Sequence, residues 1–446
     1  MSKPPSKTEE LYQRAKRRIP GGTQLLSKRP EMFLPDQWPA YYARAKGCEV
    51  WDLDGRKYTD LTLSAIGACP LGFADPDVDA AVKGAIDNGT AATLNCPEEV
   101  ELADVLCDLH PWADMVRYGR SGGEAMAIAV RIARAASGKD IVAFSGYHGW
   151  HDWYLAANLA SDKGLDGHLL PGLDPAGVPR GLAGTALPWA YNDTAALDAI
   201  VAEHGPRIGA IVLEPVRYSD PAPGYLEHVR AVATRLGVPL IFDEITAGFR
   251  INVGGAHLNY GVTPDIAVFA KALANGYPMA AVIGTRAVME AAQKSFISST
   301  HWTERVGPTA ALATIAKLKR LDVPRHNIAI GHLMRAGWAR VAEQHRVPIQ
   351  VKGLPPLSSF AFVDAAAPHA QALSTLYTQK MLDHGFLASK AFYVTYAHQP
   401  AHVEAYLAAA DDAFAGLRAA LDGGAPDAIV AALRGPLQHT GFRRLA

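Results

Sequence analysis

Net charge and long hydrophobic runs are what this sequence has least of. Its 446 residues include 43 Lys and Arg against 44 Asp and Glu, which gives a formal net charge of -1. Such a balance creates no long-range field that would attract a polyanion or an acidic membrane surface. No apolar run reaches the roughly 20 residues that a membrane-spanning helix needs. We therefore expect neither nucleic acid nor a membrane as a partner.

Cysteine is also scarce. The chain has four, Cys48, Cys69, Cys96 and Cys107, and none of them has the C-x-x-C spacing of a metal site. We expect reduced, mostly buried thiols and no bound metal. The first 20 residues are rich in charge and contain no apolar stretch of the kind that a secretory signal requires. These features favour a cytoplasmic protein.

Hydrophobic residues are plentiful, at 49% of the chain, so a protein of this length can bury a large core. From about Asp114 to Gly284, short apolar runs alternate with longer amphipathic stretches. This alternation is typical of an α/β domain with a large, mainly parallel sheet and helices on both faces. The predicted strands are Met115–Tyr118, Ile141–Phe144, Ala210–Leu213, Leu240–Phe242, Ile266–Phe269 and Ala281–Ile283.

The two ends of the chain have other patterns. Between Tyr42 and Leu61, an Asp-Gly turn at Asp54-Gly55 separates two short alternating segments, which indicates a β-hairpin. Tyr406–Leu421 has the spacing of an amphipathic helix. We predict a large domain over residues 63–320 and a small α+β domain assembled from residues 1–62 and 321–446.

Ligands of open α/β sheets bind beyond the carboxyl ends of the strands, so the residues that follow each predicted strand form a set. After the first strand come Ser121, Gly122 and Gly123, and then a helix rich in Ala, Ile and Val. Free backbone N–H groups and the helix dipole make such a start an anion site. On its own, however, a turn of this kind is more often simple helix packing.

Aromatic, imidazole and carboxylate groups follow the next strands. Tyr147 and His148 come after Ile141–Phe144, where a tyrosine ring could cover a flat heteroaromatic ligand. Glu214 and Asp243 end two strongly apolar strands, and buried carboxylates require a cationic partner. The structural alternatives are a core aromatic for Tyr147 and a helix cap for Asp243.

Lys271 follows the strand Ile266–Phe269 and precedes small residues. Burial at this place would lower the pKa of its amine and make it reactive, whereas a lone lysine more often has a surface role. In combination, these groups supply what pyridoxal 5'-phosphate (PLP) requires: an anion cradle, a stacking ring, a carboxylate for the pyridine nitrogen and an amine for the aldehyde. The sequence thus predicts a PLP enzyme with Lys271 as the Schiff-base lysine.

These residues resemble class III aminotransferases of PLP-dependent transferase fold type I, most closely the glutamate-1-semialdehyde 2,1-aminomutase branch. The resemblance covers nearly the whole chain and implies a large domain with a mainly parallel sheet of the seven-stranded type. Besides Asp243-Glu244 and Lys271, it rests on Pro20-Gly21-Gly22, Trp51-Asp52-Leu53-Asp54-Gly55, Gly177-Val178-Pro179, Tyr191-Asn192-Asp193 and Tyr396-Ala397-His398.

The resemblance implies three catalytic residues: Lys271 as Schiff-base lysine and proton shuttle, Asp243 as partner of the pyridine nitrogen, and Tyr147 as the stacking ring. Thr303 is similar to the threonine that reaches the phosphate from the neighbouring subunit, which implies a homodimer with shared active sites. The implied cofactor-binding residues are Ser121, Gly122, Gly123, Tyr147, His148, Glu214, Asp243, Lys271 and Thr303.

Three positions depart from the aminomutase pattern. Gly123 stands where the family usually has threonine, so a phosphate-binding hydroxyl is missing, although a backbone N–H can serve instead. In the segment after Gly22, Lys28 and Arg29 are out of register with the arginine that binds the substrate carboxylate in the aminomutase. Gly307-Pro308 replaces an Asn-Pro pair near Thr303. For these reasons the substrate is not predicted.

We predict an aminotransferase that moves an amino group from a small-molecule amino donor to a keto or aldehyde acceptor through pyridoxamine phosphate. An intramolecular aminomutase is the alternative with the same cofactor. An NAD-dependent dehydrogenase could use the turn Gly119–Gly123, but the G-x-G-x-x-G spacing is absent. A non-catalytic binding protein is the remaining alternative. Arg217 and Arg250 are candidates for binding an acidic substrate group or for structural ion pairs.

Overall fold

The computed structural model of the protein describes residues 6–161, 163–168, 171–217, 219–424 and 426–441. The chain forms two compact units, one from Met1–Asp75 with Arg325–Ala446 and the other from Pro76–Pro324. The domain limits expected from the sequence, after residues 62 and 320, stay predictions.

The strands are numbered along the chain. They are β1 Tyr42–Lys46, β2 Glu49–Asp52, β3 Lys57–Asp60, β4 Met115–Gly119, β5 Ile141–Ser145, β6 Ala186–Pro188, β7 Ile208–Leu213, β8 Leu240–Asp243, β9 Ile266–Phe269, β10 Ala280–Gly284, β11 Ile349–Lys352, β12 Leu357–Phe362, β13 Phe386–Leu387 and β14 Ala391–Tyr393.

The α-helices are numbered in the same way. They are α1 Lys7–Lys16, α2 Pro76–Asp87, α3 Glu98–Leu109, α4 Gly122–Ser137, α5 Asp152–Leu155, α6 Ala157–Ala160, α7 Thr194–His204, α8 Tyr225–Leu236, α9 Arg286–Met289, α10 Val306–Arg320, α11 Val323–Gln344, α12 Ala370–Asp383, α13 Pro400–Asp422 and α14 Asp427–Ala431.

The unit Pro76–Pro324 is built on a seven-stranded sheet with the order β4-β10-β9-β8-β7-β5-β6. Neighbouring strands are parallel from β9 to β6, and β10 runs antiparallel to β4 and β9. All six predicted strands are found, which confirms the mainly parallel α/β sheet. The seventh, β6, escaped prediction because it has only three residues, ends in proline and pairs with β5 alone at the edge.

Side chains alternate between the two faces of this sheet, and each face has its own core. On one face Val142 and Phe144 of β5 pack in a cluster with the buried residues of α4. On the other face Ile141 and Ala143 pack with residues of α7 and α8. Burial on both faces explains why the strands are continuously apolar. Because β5, β7, β8 and β9 are parallel, their carboxyl ends lie at one edge of the sheet.

The other unit carries two small sheets, β1-β2-β3-β13 and β11-β12-β14. The predicted hairpin is β2–β3, and its turn is held by Asp52 Oδ1, which accepts from the backbone N–H groups of Asp54 and Arg56 at 2.9 Å each. The predicted helix at residues 406–421 is the apolar-periodic part of α13. Pro400 at its first turn starts the helix earlier, because proline has no N–H to lose there.

Neither membrane spans nor metal clusters are found in the part of the chain that the structure describes. No described helix combines the length and apolarity that a bilayer crossing requires. Within the same ranges, no group of three or more His, Cys, Asp or Glu side chains is arranged to hold a metal ion. The four cysteines are free thiols; Cys48 and Cys69 are buried, and Cys96 and Cys107 are partly buried.

Candidate active site

Lys271 lies just past the carboxyl end of β9, at the start of a short 3-10 turn. Its backbone is in the left-handed region, with φ at 37°, a conformation that costs a non-glycine residue about 1–3 kcal/mol. This geometry turns the side chain back towards the loop after β8, where Nζ donates a hydrogen bond to Thr246 Oγ1 at 2.8 Å. The amine is therefore held in one place by a hydroxyl group.

The surroundings of Lys271 favour a neutral amine. Burial lowers its pKa, and the positive charge of Arg250 lowers it further, while the carboxylates of Glu214 and Asp243 act in the opposite direction. A lysine with a lowered pKa has a larger fraction of nucleophilic amine near neutral pH. Glu214 follows β7 and Asp243 ends β8, so both carboxylates lie at the same edge of the sheet as Lys271, which follows β9.

Asp243, the last residue of β8, forms a buried pair with His148. Its Oδ2 lies 2.7 Å from His148 Nδ1, and the two side chains are 3% and 0% exposed. The other oxygen, Oδ1, accepts from the backbone N–H of Ile245 at 3.0 Å. His148 Nε2 lies 3.2 Å from the carbonyl oxygen of Ser145, so both ring nitrogens of His148 face oxygen atoms.

Glu214 directly follows β7 and is buried against the loop after β5. Its Oε2 accepts from the backbone N–H of Tyr147 at 3.1 Å and from Arg217 Nε at 3.2 Å. A Cβ on Gly146, whose φ is +119°, would stand 2.5 Å from that oxygen, so only glycine permits this approach. Burial raises the pKa of Glu214, and the cation of Arg217 opposes that rise.

Tyr147 is half-buried at the same edge of the sheet. Its ring meets Tyr154 edge to face, with centroids 5.9 Å apart and an interplanar angle of 84°. The hydroxyl of Tyr154 donates to the carbonyl of Gly146 at 3.1 Å, which anchors the backbone that carries the ring. Burial raises the pKa of the Tyr147 phenol, which therefore stays protonated at neutral pH.

The start of α4 is organised by Glu124. This carboxylate accepts from the backbone N–H groups of Arg120 at 2.6 Å and Ser121 at 3.3 Å, so those two amides are already occupied. Ser121 is the exposed N-cap residue of the helix. The first amides inside a helix have no intrahelical acceptor, which leaves those of Gly122 and Gly123 for an anion.

Two neighbours crowd this first turn of α4. A Cβ on Gly122 would stand 3.0 Å from Ile245 Cδ1, and a Cβ on Gly123 would stand 3.1 Å from His151 Nδ1. The backbone is thus approached closely at both glycines, and Ile245 comes from the loop that also carries Asp243 and Thr246.

Thr303 is exposed, and its hydroxyl donates to the carbonyl of Thr300 at 3.2 Å. The turn around it is held against the start of α4 of the same chain. Trp302 Nε1 donates to Glu124 Oε1 at 3.0 Å, and Arg120 donates to the carbonyls of Trp302 at 2.9 Å and Glu304 at 3.0 Å. The predicted contact of Thr303 with a neighbouring subunit stays a prediction.

Sequence reasoning missed Thr246, because it considered only the residues directly after each strand. The signal was present, since Thr246 stands three residues after Asp243 in the same loop. Two further residues near the site have contacts within the fold. Glu244 accepts from His257 Nδ1 at 2.7 Å, and buried Arg250 donates through Nε to the carbonyl of Thr246 at 2.7 Å. Arg217, the other candidate for an acidic substrate group, pairs with Glu214.

Comparison with known families decides what kind of site this is. The family model described as "Aminotransferase class-III" matches residues 35–410. The chain belongs to this family. It is an aminotransferase that uses PLP, and its large unit has the fold of PLP transferases of type I. The resemblance, the fold, the cofactor and the class of reaction predicted from the sequence are confirmed.

Two relatives are each 33% identical to this aminotransferase. A 3-aminobutyryl-CoA aminotransferase from Cloacimonas acidaminovorans aligns over 403 residues, 88% of this chain and 93% of the relative. A glutamate-1-semialdehyde 2,1-aminomutase from Dechloromonas aromatica aligns over 434 residues, 93% of this chain and 100% of the relative. The crystal structure of an omega-transaminase from Sphaerobacter thermophilus is similar at a TM-score of 0.82 and 26% identity, covering 93% of this chain and 99% of that one.

The groups in this aminotransferase fit PLP. The cradle at Gly122 and Gly123 offers backbone N–H groups without side chains, as a phosphate requires. Lys271 offers an amine with a lowered pKa. Asp243 has unused lone pairs on a carboxylate that is already oriented by two contacts, so it can accept a further N–H.

The lowered pKa of Lys271 predicts how the reaction of its amine with an aldehyde such as that of PLP depends on pH. The rate of bond formation by the apoenzyme follows the neutral amine, so it rises with pH and levels off above the pKa of Lys271. Because that pKa is below the ordinary value of 10.5, the midpoint falls below 10.5. The change in PLP absorbance after mixing, followed over a pH series, gives this midpoint. A midpoint at or above 10.5 contradicts the electrostatic argument.

Proposed function

We propose that this enzyme transfers amino groups between separate small molecules, with Lys271 as the residue that binds PLP covalently and moves the substrate proton. The observation that carries the proposal is the Lys271 amine itself. It is partly buried, has a lowered pKa and is held 2.8 Å from Thr246 Oγ1. When bound, PLP supplies an aldehyde and an electron-accepting pyridinium ring.

Lys271 has two tasks in this proposal. Its neutral Nζ first acts as a nucleophile towards the cofactor aldehyde. Once an amino donor has displaced it, the same nitrogen takes the proton from the donor's α-carbon and delivers it elsewhere, as general base and then general acid. Thr246 Oγ1, 2.8 Å from Nζ, is the group that holds the released amine within reach.

Asp243 and His148 keep the cofactor ring protonated. A carboxylate beside the pyridine nitrogen favours the charged form of the ring, and Asp243 is oriented for this by Ile245 and His148. The 2.7 Å contact with His148 also gives the buried carboxylate of Asp243 a hydrogen-bond partner. His148 acts on the ring through Asp243 and is a positioning residue.

The remaining predicted residues complete the pocket. Tyr147 is proposed to stack on the ring, Glu214 to line the pocket beside it, and Ser121, Gly122 and Gly123 to bind the phosphate. We also propose a cytoplasmic homodimer in which Thr303 reaches the phosphate of the neighbouring subunit. The exposure of Thr303 and the firm attachment of its turn to α4 support this role.

An intramolecular aminomutase is the second candidate, favoured by the relative from Dechloromonas aromatica. Relatives with the two activities have the same 33% identity, so identity does not separate them. The departures around Lys28 and Arg29 and at Gly307-Pro308 favour transfer between separate molecules.

Release of a free carbonyl product distinguishes the two candidates. With the enzyme in the PLP form and an excess of one amino donor, transfer between molecules releases one keto or aldehyde product per active site without any acceptor. An aminomutase returns an isomer of its substrate and accumulates no free carbonyl compound. Mass spectrometry of the small-molecule fraction measures the ratio, and a ratio near zero for every donor that discharges the PLP absorbance contradicts the first candidate.

Reductive trapping tests Lys271. Borohydride treatment of the holoenzyme should place the cofactor on the peptide that contains Lys271. Lys271→Ala should bind PLP only noncovalently and lose activity by at least about 10³-fold, because both the nucleophile and the general base are gone. Lys83→Ala removes an exposed lysine of the same unit and should change neither result. An adduct on another lysine, or full activity of Lys271→Ala, refutes the assignment.

The hydroxyl of Thr246 can be tested with a pair of conservative variants. Thr246→Val keeps the shape and removes the hydrogen bond to Lys271, while Thr246→Ser keeps the hydroxyl. A hydrogen bond contributes about 1 kcal/mol, so the valine variant should discharge PLP absorbance with an amino donor about five- to tenfold more slowly. The serine variant should stay near the wild type. Equal rates for valine and serine would show that the hydroxyl has no such role.

A further inference from the structure

His151 lies just before α5 and presses against the first turn of α4. Its Nδ1 is 3.1 Å and its Cε1 3.2 Å from the point where a Cβ of Gly123 would stand. The contact is continued by Gly149, with φ at +104°, where a Cβ would stand only 2.9 Å from Gly123 Cα. The loop after β5 is therefore packed directly on the amide-bearing backbone of α4.

The imidazole of His151 is held firmly in this place. Trp150 stacks on it with ring centroids 4.4 Å apart and an interplanar angle of 28°. A stacked ring loses little further conformational entropy when it binds a ligand. The position of Nδ1 beside Gly123 is thus a built feature of the loop.

The Nδ1 atom is buried and has no hydrogen-bond partner among the described residues. A buried polar atom without a partner costs about 1–3 kcal/mol, so Nδ1 calls for a partner such as a water molecule, an ion or a ligand. Burial lowers the pKa of His151, although Glu124 and Asp152 oppose this. The neutral ring can place its one N–H on Nδ1 and offer it to an acceptor.

The surroundings of His151 Nδ1 favour a negatively charged hydrogen-bond acceptor. It adjoins the N-terminus of a 16-residue helix, where the dipole and the free amides of Gly122 and Gly123 favour an anion. The imidazole also occupies the space that a larger side chain at position 123 would need. His151 Nδ1 therefore lies in the space that a side chain on residue 123 would occupy if that residue were not glycine.

We propose that His151 Nδ1–H donates a hydrogen bond to the phosphate of PLP, and so extends the cradle beyond Ser121, Gly122 and Gly123. The inference rests on the proposed function, which puts the phosphate at the start of α4. It adds a binding residue from the loop after β5, the loop that also carries Tyr147 and His148. One loop would then contact the phosphate as well as the ring.

Comparing PLP with pyridoxal, which lacks the phosphate, isolates this hydrogen bond. His151→Leu should weaken PLP binding to the apoenzyme by about tenfold or more, since a hydrogen bond to a charged group is lost. Pyridoxal binding should change by no more than about twofold. His151→Asn, whose amide N–H can take the place of Nδ1–H, should keep most of the PLP affinity. Equal loss for both ligands, or no loss for either, overturns the proposal.

A second pair of variants tests the proposal independently, in case His151→Leu does not fold. Gly123→Thr alone should weaken PLP binding, because its Cβ meets the imidazole at 3.1 Å. Combined with His151→Ala, the threonine gains space and supplies a hydroxyl, and PLP affinity should return to within a few-fold of the wild type. If the double variant binds PLP no better than His151→Ala, the proposal fails.

The trapping experiment separates this inference from the proposed function. If the wild-type enzyme gives no adduct at Lys271, the proposed function itself is wrong. If that adduct forms and the ratio of PLP to pyridoxal affinity is the same in the wild type and His151→Leu, only the role of His151 is wrong.

Discussion

Compensation of buried charge at one edge of the large sheet is the constraint on which the candidate site depends. Asp243, Glu214 and Lys271 all sit at the ends of apolar strands, where an uncompensated charge costs several kcal/mol. Asp243 is paired with His148, Glu214 with Arg217, and the fields of both carboxylates act on Lys271. Removing one member leaves its partner buried and unpaired, so these side chains form one electrostatic unit.

The conformations of the surrounding loops follow from this constraint. Glu214 can reach the backbone N–H of Tyr147 only because residue 146 has no Cβ. Lys271 contacts Thr246 from a backbone in the left-handed region, a conformation that differs from the extended backbone of the preceding strand β9. Strain of this kind persists only where the surrounding contacts over-determine it, and at Lys271 those contacts include the hydroxyl of Thr246. The strained positions are therefore as much a part of the site as its charged groups.

The sequence predicts the strands that position this site better than it predicts the contacts between side chains of different loops. Strands buried on both faces are continuous apolar runs, so β5, β7, β8 and β9 and the residues after them could be read directly. The partnership of Lys271 with Thr246, and of His151 with Gly123, depends on how two loops fold back on the strands. No local period encodes such a contact. Glu244 illustrates the opposite error. Its position next to Asp243 in the sequence suggests a role in the active site, but its carboxylate binds His257 and the start of the turn Ala256–Asn259 instead.

Relatives with different activities resemble this chain equally. An aminotransferase and an aminomutase both align at 33% identity over nearly the whole chain. Both activities need an amine, a carboxylate for the ring and an anion cradle, so these groups do not distinguish one activity from the other. Where the chain departs from the aminomutase pattern at Gly123, a ring nitrogen of His151 lies 3.1 Å from the position of the missing Cβ. The glycine at position 123 is thus accompanied by a close contact from His151 in the loop after β5. Positions outside the electrostatic unit can vary one at a time, and a different substrate would be accommodated there.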